Sequence, residues 1–596
     1  MRNPRFLPIT LLVSCTIAVA SCTEQIPTFD PGEAPGVPKA SVVAAVNEAR
    51  SVDQVTMDAG PGVAPWELDP SSLITALEQS GGRAFVALKA ASSPPIGTTV
   101  RMAIPEKNRP PIRQATLSAI PKEDVLAGLA AIEALGAKVV QYYDALGIAE
   151  VQVEPQAAAS ALRADPRVDF VEPIVDDARL MDRPTGFAGR PDAGVAALAS
   201  EVTPLNTTFV KAPQAWPYTT GTLARLLIID TGYERGHEDL PNPPLGNCLH
   251  GQYGGCDDGQ PFPHGTHMTG LIVAQQNGLG LIGVAPGVHP NDIYHWGACD
   301  SGSVNCSTSE IVAAVNWAAS TLGPRGVVNM SFAKESYSGS LANAAATAYA
   351  AGHVLVAGMG NEGINVVRYP AGFSQVVAVG AINPDKTFAA VDFCNPNLPG
   401  SNWGSHVDVV GPWAGGLTTD VPNTYTSNCI GTSGATAVVS GVAALIRARN
   451  IGWPNSQVID QLKTTAEDVH TPGWDDRTGF GLVRADFATA FTAPSITATI
   501  VAGKPKLSWN AVPFAGQYEI WGNIWPTICP QFELIASTTS TSFTHASRPV
   551  SSFIGYNIFP SYTSFIYYVR AIASDGTDSQ LSFFAAYVPT QSNPPC

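Results

Sequence analysis

The sequence predicts an α/β fold with a doubly wound, mostly parallel sheet in residues 205–493, preceded by a small α+β domain and followed by a β-sandwich. Two observations predict the sheet. Apolar runs of strand length alternate with segments of helical periodicity, and the runs are apolar throughout, as in strands buried on both faces. Repeated strand–helix units place helices on both faces of a parallel sheet. The runs are residues 225–229, 292–296, 327–330, 354–357, 376–379 and 407–410.

The N-terminus is typical of a targeting segment. Two arginines precede an apolar stretch, residues 7–20, that is too short to span a bilayer, so residues 1–21 are predicted to be a signal peptide. The stretch ends in a Val-Ala-Ser-Cys sequence that resembles a bacterial lipobox, in which Cys22 carries lipid. An ordinary signal peptide, with Cys22 incidental, is the alternative.

A small domain is predicted between two linkers. Residues 22–82 and 181–204 are rich in Pro, Gly and Ala and are predicted to be linkers. Residues 83–180 show the order strand, helix, strand, strand, helix, strand, which is typical of a ferredoxin-like α+β domain. The elements are residues 84–88, 122–135, 138–143, 149–153, 155–164 and 168–172.

The last part of the chain, residues 494–596, alternates at a strand period of two, with turn residues between the strands. This pattern predicts a fibronectin type III-like β-sandwich of about 100 residues. Such a domain serves as a binding module or as a stabilising appendage, and the sequence favours the appendage.

Composition indicates a protein outside the cytoplasm. Charged residues are 14% of the chain, below the usual quarter, and the formal net charge is −16. Nucleic acid is excluded as a partner because the sequence has no basic stripe. Apart from Cys15 of the leader and Cys22, eight of the ten cysteines remain, which predicts disulfides rather than a metal site. The predicted pairs are Cys248–Cys256, Cys299–Cys306, Cys394–Cys429 and Cys529–Cys596.

Three short segments carry the candidate chemistry. Asp230 ends an apolar run in Asp-Thr-Gly, His264 begins a helical pattern in His-Gly-Thr-His, and Ser433 lies in Gly-Thr-Ser at the start of a buried helix. A serine hydroxyl becomes a nucleophile when an imidazole takes its proton, and a carboxylate fixes the tautomer of that imidazole. The alternative, three unrelated turn and core residues, is disfavoured because each residue lies in the expected element.

The chain order Asp, His, Ser in these motifs resembles that of the subtilisin-like serine peptidases, the subtilase family, over about residues 205–490. The resemblance implies hydrolysis of peptide bonds in polypeptide substrates through an acyl-enzyme. Ser433 would be the nucleophile, His264 the general base, and Asp230 the carboxylate that orients it. Asn361, in a Gly-Asn-Glu-Gly sequence, resembles the family's oxyanion residue and would donate with the Ser433 N–H.

The resemblance also implies a zymogen. Residues 83–180 would be an inhibitory prodomain whose carboxyl end lies in the active site as a bound product, although an independent adaptor domain is the alternative. Self-cleavage near Leu180-Met181 would release a monomeric protease. Lipid on Cys22 would hold the prodomain at the membrane before maturation, so the expected location is secreted or lipid-anchored at the bacterial cell surface.

A structural Ca²⁺ site is the next implication of the resemblance. Asp239 and Asn277 would provide side-chain oxygens, and Gln275, Leu279 and Leu281 would provide main-chain carbonyls. Ligation by oxygen alone suits a hard cation such as Ca²⁺. The family's N-terminal ligand has no assigned counterpart in this sequence.

The chain departs from the family at three places. Gly434 and Ala437 stand where the family usually has Met and Pro, behind the nucleophile. The substrate-edge segment, residues 331–333, is Ser-Phe-Ala where the family has Ser-Leu-Gly, so the resemblance does not extend to substrate preference. His267, His237 and His295 are predicted to be structural.

Two other functions were weighed against an active endopeptidase. A catalytically silent subtilase-fold lipoprotein would act as a binding module, and a transpeptidase of the same fold would ligate products. The intact set of Asp230, His264, Ser433 and Asn361 argues against the silent scaffold.

Overall fold

The structure is a computed structural model of the 596-residue chain. It describes residues 51–53, 68–89, 115–116, 122–181, 200–249, 258, 261–324, 326–413, 416–428, 431–490, 496–502, 504–512, 515–523, 532–545, 564–565, 567–573 and 588–589. The predicted signal peptide, Cys22 and most of both predicted linkers lie outside the described residues.

A seven-stranded sheet forms the centre of the molecule, and every neighbouring pair of its strands is parallel. The predicted α/β class with a doubly wound, mostly parallel sheet is therefore confirmed. In spatial order the strands are Val409–Pro412, Val376–Ile382, Val354–Gly358, Gly326–Met330, Arg225–Asp230, Ile293–Gly297 and Cys248–Leu249.

Alternate residues of a central strand enter two different hydrophobic cores. Leu226 and Ile228 belong to one core, and Leu227 and Ile229 belong to the other, with all four fully buried. Successive side chains of a strand point to opposite faces, so a run that is apolar at every position requires helices on both sides of the sheet. The helices of the central domain are Leu205–Phe209, Ala212–Ala215, His264–Val273, Thr308–Thr321, Gly339–Ala350, Gly431–Arg449, Asn455–Thr464 and Ala485–Ala490.

The N-terminal domain has a four-stranded antiparallel sheet in the order second, third, first, fourth strand. Its strands are Arg83–Leu88, Lys138–Tyr143, Ile148–Gln152 and Val168–Pro173. Its helices are Pro70–Gln79 and Lys122–Ala134, with a short α-helical turn, Pro155–Ala157, that continues as the π-helix Ala158–Leu162. A two-stranded pair, Ser51–Asp53 with Ala115–Thr116, is also described.

The helix Pro70–Gln79 corrects the predicted linker 22–82. Asp69 caps the helix by accepting hydrogen bonds from Ser71 N and Ser72 N, and a proline stands in the first turn. Leu73 and Leu77, spaced four residues apart, are fully buried in the core of the domain. Only these two of the ten helix residues are buried, and such a narrow apolar face is a weak pattern, which is why the sequence did not predict this helix.

The two faces of the N-terminal sheet pack in two different hydrophobic cores. Ala84, Val86 and Leu88 pack in the domain's own core, whereas Phe85 and Ala87 belong to the hydrophobic core of the central domain. The sheet therefore covers the central helices Thr308–Thr321 and Gly339–Ala350 with its second face.

The C-terminal part forms two three-stranded antiparallel sheets around one small core, and Phe487 of the last central helix joins that core. The fibronectin type III-like assignment stays a prediction. The strands are Ile496–Val501, Lys504–Trp509 and Ser542–Thr544 in one sheet, Ala515–Asn523, Phe532–Thr538 and Tyr567–Ala573 in the other, and a separate pair, Ser564–Phe565 with Val588–Pro589.

Of the predicted disulfides, Cys299–Cys306 is present, and Cys248 and Cys394 are each disulfide-bonded. Their predicted partners, and the predicted pair Cys529–Cys596, lie outside the described residues. Within the parts of the chain described above, no helix is both long and apolar enough to cross a membrane.

Candidate active site

Asp230 and His264 meet at the carboxyl end of a central strand. Asp230 is the last residue of Arg225–Asp230, and His264 is the first residue of the helix His264–Val273. The distance from His264 Nδ1 to Asp230 Oδ1 is 2.7 Å, and both side chains are buried. Thr231 N donates a second hydrogen bond to the same oxygen, at 2.8 Å. A carboxylate acceptor at Nδ1 selects the tautomer that leaves Nε2 as the basic nitrogen.

The Asp-Thr-Gly and His-Gly-Thr motifs fit each other through a close backbone approach. A Cβ atom on Gly265 would lie 2.1 Å from the carbonyl oxygen of Gly232, so only glycine fits there. In the opposite direction, Gly265 N donates to Thr231 Oγ1 at 2.8 Å. These contacts fix the start of the His264 helix against the loop that carries Asp230.

Asp258 is a second carboxylate in this environment that the sequence analysis missed. It accepts hydrogen bonds from Thr266 N at 2.8 Å and from Thr266 Oγ1 at 2.7 Å. Burial raises the pKa of Asp258 to about 6, and the nearby negative charge of Asp230 adds to this shift. No sequence pattern indicates this role, because an aspartate six residues before the histidine has no fixed direction until the loop is folded.

Ser433 and Asn361 lie close together at the start of the helix Gly431–Arg449. Ser433 is the third residue of the buried helix Gly431–Arg449, and its Oγ is 3.2 Å from the carbonyl oxygen of Ser331. Asn361 Oδ1 accepts from Thr432 N at 3.0 Å and from Thr432 Oγ1 at 2.7 Å. Because only the amide oxygen can accept from a backbone N–H, the Asn361 NH₂ group must point the other way.

That NH₂ group points into a cleft that another part of the chain occupies. The strand Ala178–Leu180 pairs antiparallel with Asn305–Cys306 on one side and with Phe332–Lys334 on the other. The next carbonyl, that of Met181, accepts a hydrogen bond from Asn361 Nδ2 at 2.8 Å. We call residues 178–181 the cleft segment.

The side chain of Met181 is nearly buried in a pocket beside Ser433. Thr432 Oγ1 lies 3.2 Å from Met181 Sδ. A Cβ atom on Gly358 would come within 2.3 Å of Met181 Cε, so the glycine at this strand end makes room for the methionine. Because the cleft segment lies over the site, Ser433 and His264 are fully buried in the full-length chain.

The three histidines predicted to be structural have a carboxylate, a backbone carbonyl and an aromatic ring as partners. His267 Nε2 lies 3.1 Å from Asp420 Oδ1, and His237 Nε2 lies 2.8 Å from the carbonyl oxygen of Thr424. The ring of His295 stacks on Tyr233, with 4.3 Å between the ring centroids. Burial lowers the pKa of His295 to about 3, so the stacked ring is neutral.

Known proteins resemble this chain over the same region. The model of the subtilase family matches residues 226–481. The M-protease of Shouchella clausii (strain KSM-K16) is 31% identical over 373 residues, which are 62% of this chain and 86% of the relative. This chain belongs to the subtilase family.

Two more relatives support the assignment. Alkaline elastase YaB of a Bacillus species is 32% identical over 348 residues, covering 58% of this chain and 80% of the relative. Subtilisin Savinase of Lederbergia lenta is 34% identical over 272 residues, covering 45% of this chain and 92% of the relative. The predicted enzyme class, a serine-type endopeptidase, is confirmed by this membership.

In this subtilase the predicted calcium residues lie together. Asp239 Oδ2 accepts from Leu281 N at 2.7 Å, and Asn277 Oδ1 accepts from Leu279 N at 2.8 Å. Gln275 N donates to the main-chain carbonyl of Asp239 at 2.9 Å, which closes the loop on the Asp239 segment. Asp239 Oδ1 is buried, and among the described residues no group donates a hydrogen bond to it.

Glu201 is an acidic residue beside the Asn277 loop, and it was not among the predicted calcium ligands. Val202 N donates to the carbonyl oxygen of Gly280 at 2.8 Å, and Glu201 Oε1 accepts from Gly278 N at 2.7 Å. Burial, together with the smaller effect of the negative charges of Glu201 and Glu238, raises the pKa of Asp239 to about 7. A buried carboxylate oxygen without a donor, next to a second acid, has the chemistry of a cation ligand.

Replacing Ser433 by Ala is expected to abolish peptide hydrolysis, with a loss of kcat of at least about 10⁴-fold, because the change removes the predicted nucleophile. Casein clearing by the purified proteins measures this loss. The fold should stay intact, since the change removes only a hydroxyl group, which lies 3.2 Å from the carbonyl oxygen of Ser331. A phosphonofluoridate inhibitor should label Ser433 alone in the wild type. Labelling of another residue would contradict the assignment.

Replacing Asn361 by Leu is expected to lower kcat by about 10²–10³-fold with little change in KM, a magnitude known from subtilisin itself. The amide donates to a charge that develops after attack, so its loss affects the transition state more than the bound substrate. Steady-state kinetics on a peptide substrate separate the two constants. A rise in KM at constant kcat would instead assign Asn361 to ground-state binding.

Proposed function

We propose that this chain is an exported serine endopeptidase that is made as a zymogen and inhibits itself with its own N-terminal domain. Ser433 is the nucleophile, His264 the general base and acid, and Asp230 the carboxylate that orients the imidazole. Asn361 and the backbone N–H of Ser433 bind the oxyanion. The observation that carries this proposal is the hydrogen bond from Asn361 Nδ2 to the carbonyl oxygen of Met181, at 2.8 Å.

The chemistry follows from the positions of these groups. A substrate that binds as the cleft segment does presents a carbonyl carbon to Ser433 Oγ, with its oxygen toward the Asn361 amide. His264 takes the hydroxyl proton on Nε2 as the acyl bond forms, and Asp230 stabilises the resulting imidazolium. The imidazolium then protonates the leaving amine, and water releases the acyl group by the reverse path. A segment bound in the cleft covers Ser433 and His264, which lowers the local dielectric constant and strengthens each of these electrostatic contacts.

The N-terminal domain has the contacts expected of an inhibitor. Its cleft segment adds a strand to the cleft, as peptides commonly do at an open sheet edge. Two of its carboxylates also cap helices of the central domain. Glu172 Oε2 accepts from Ser340 N at 2.8 Å at the start of Gly339–Ala350. Asp176 Oδ1 accepts from Thr308 N at 2.8 Å at the start of Thr308–Thr321. Negative charge at a helix N-terminus is stabilising.

The position of Met181 refines the expected cleavage site. The sequence placed the cut near Leu180-Met181. Because the oxyanion donor contacts the carbonyl of Met181, the bond presented to Ser433 is the one between Met181 and Asp182. The inhibitory domain then ends at Met181, and residues from Asp182 onward form the new N-terminus of the protease.

We expect wild-type protein to mature into a chain that begins at Asp182 and leaves the membrane, because lipid on Cys22 stays with the detached prodomain. Full-length Ser433→Ala protein should remain in the membrane fraction, since it cannot cut itself. Intact-mass measurement and N-terminal sequencing of the medium and membrane fractions detect both the cleavage before Asp182 and the release from the membrane.

A matched control separates lipid anchoring from cleavage. Cys22→Ser removes the lipid acceptor and leaves the cleft untouched, so in the Ser433→Ala background it should move the uncut chain into the soluble fraction. Active wild-type protein still joined to Cys22 would contradict the release scheme. A mature N-terminus at another residue would contradict the cleavage position.

A structural Ca²⁺ at the loop around Asn277 is part of the same proposal. The described residues contain no group of three His, Cys, Asp or Glu side chains that could hold a metal ion, so the set must rely on carbonyl oxygens. Asp239 Oδ1, Asn277 Oδ1 and Glu201 would provide side-chain oxygens, and Gln275, Leu279 and Leu281 main-chain oxygens. The ion would neutralise the buried Asp239 and tie the loop to the start of the central domain.

Removing calcium with EDTA is expected to lower the melting temperature of the mature protein, because an ion bound only by the folded state stabilises it in proportion to the logarithm of its free concentration. Differential scanning calorimetry in EDTA and in millimolar Ca²⁺ measures the shift. Asp239→Asn should abolish the calcium dependence while Ser433 stays reactive toward the phosphonofluoridate. Equal melting temperatures in EDTA and Ca²⁺ for the wild type would rule out the site.

A further inference from the structure

Lys334 is a buried cation at the edge of the cleft. It is the last residue of the strand Phe332–Lys334, and its side chain is 1% exposed. Its backbone is fixed on both sides by Tyr369, with Lys334 N donating to Tyr369 O at 2.7 Å and Tyr369 N donating to Lys334 O at 2.9 Å. Lysine is almost never fully buried unless it is paired, so its partners explain why it is tolerated there.

The partners of Lys334 belong to the N-terminal domain. Its Nζ donates to a carboxylate oxygen of Asp177 and to the main-chain carbonyl of Val175, the latter at 2.6 Å. The ammonium group also lies near Glu172, where it opposes the rise in the Glu172 pKa that burial causes. All three partners precede the proposed cleavage point.

A second donor of the central domain holds the same carboxylate. Ser336 N donates to Asp177 Oδ2 at 2.8 Å, so the two oxygens of Asp177 are bound by two different groups. One donor is charged and the other is a fixed backbone N–H, which together favour an ionised carboxylate over an amide. The Asp177 side chain is 26% exposed, and the rest of it is covered by the protein.

The position of Asp177 in the cleft defines a substrate position. Met181 presents its carbonyl to Asn361, and Asp177 lies four residues before it, so Asp177 occupies the fifth position upstream of the proposed cleaved bond. When the prodomain leaves, Lys334 and Ser336 N–H remain on the protease and lose this carboxylate. A substrate that binds along the same strand places its own fifth residue there.

We propose that Lys334, with the backbone N–H of Ser336, forms a subsite that selects an acidic residue at the fifth position upstream of the cleaved bond. We call it the Lys334 subsite. This proposal rests on the proposed function, since it takes the cleft segment as a substrate analogue. The preferred substrates are polypeptides with Asp at this position and apolar residues at the two positions just before the bond, because Leu180 and Met181 are buried in the cleft.

Long-range electrostatics predicts the opposite preference. The proposed mature protease, residues 182–596, has 28 Asp and Glu against 18 Lys and Arg, a formal net charge of −10, and a protein of that charge repels acidic peptides. A preference for an acidic residue at one position must therefore come from a local cation. This contrast makes the subsite measurable against the background of the whole protein.

The test compares three peptides that cover residues 173–185 and differ only at position 177, with Asp, Asn or Lys. Matured wild-type protease should cleave the Asp peptide with a kcat/KM about tenfold above that of the Asn peptide, as expected for one charge-assisted hydrogen bond, and further above that of the Lys peptide. Mass spectrometry checks that each peptide is cut after Met181.

Enzyme variants assign the preference to Lys334. Lys334→Gln should lose the difference between the Asp and Asn peptides, and Lys334→Glu should prefer the Lys peptide. Lys386→Gln is the matched control, because it removes the same charge at a side chain paired with Glu467 rather than with the cleft segment, and it should keep the wild-type preference. If the Lys334 variants fail to mature, the three peptides with wild-type protease still decide the question.

The outcomes separate the subsite from the activity itself. Equal cleavage of the Asp and Asn peptides by the wild type would overturn the Lys334 subsite and leave the protease assignment intact. An Asp preference that persists in Lys334→Gln would also overturn it. Cleavage of none of the three peptides by matured wild-type protein would overturn the proposed function, and the subsite with it.

Discussion

The pairing of the cleft segment with two strands of the central domain is the interaction on which the functional geometry depends. Ala178–Leu180 fills the gap between Asn305–Cys306 and Phe332–Lys334, and this register fixes which carbonyl reaches Asn361. A shift of one residue would exchange every inward and outward side chain of the segment. The pocket beside Gly358 accepts Met181 in the observed register, so side-chain fit and backbone pairing support the same alignment.

The rest of the N-terminal domain contacts the central domain through apolar burial and through charged groups at the border. Its sheet places Phe85, Tyr143 and Ile148 in the hydrophobic core that contains the helices of the central domain. At the border, Glu150 Oε1 accepts from Ser309 Oγ at 3.0 Å, and Arg83 donates to the same hydroxyl at 2.8 Å. Polar groups that close a hydrophobic contact add orientation as well as energy, because a mispaired buried charge is costly. The domain is therefore held in one orientation relative to the cleft.

Much of the central fold was predictable from the sequence because it depends on local periodicity. The apolar run before Asp230 and the helical spacing after His264 each follow from burial, and the predicted strand ends differ from the structure by at most three residues. The location of the site also follows from a rule of parallel sheets, because ligand sites lie at the carboxyl ends of their strands. The helix Pro70–Gln79 was missed since only two of its residues are buried.

Contacts between segments that are distant in the sequence could not be predicted from local periodicity. Glu201 approaches the Asp239 loop only because Val202 forms a bridge with Leu281, and Asp258 is defined by its two bonds to Thr266. Residues 331–333 were recognised as a departure from the family sequence, but the next residue, Lys334, was not among the predicted site residues. A lysine after Ser-Phe-Ala has no meaning by itself, and it becomes informative only when the strand pairing brings Asp177 to it.

In the proposed zymogen, self-inhibition and substrate choice share one set of contacts. The donors that hold the carboxyl end of the prodomain after cleavage are those that meet the upstream residues of any substrate. A prodomain bound too tightly through Asp177 would compete with every substrate, and one bound too weakly would leave the protease active before export. The prodomain solves this conflict outside the cleft, because Glu172 and Asp176 cap helices that a short peptide with an acid only at the fifth position does not reach. Degradation of the folded domain then removes the helix caps together with the cleft strand, whereas a peptide product has only the cleft contacts to break. The structure thus allows a tight inhibitor and a releasable product to use the same subsite.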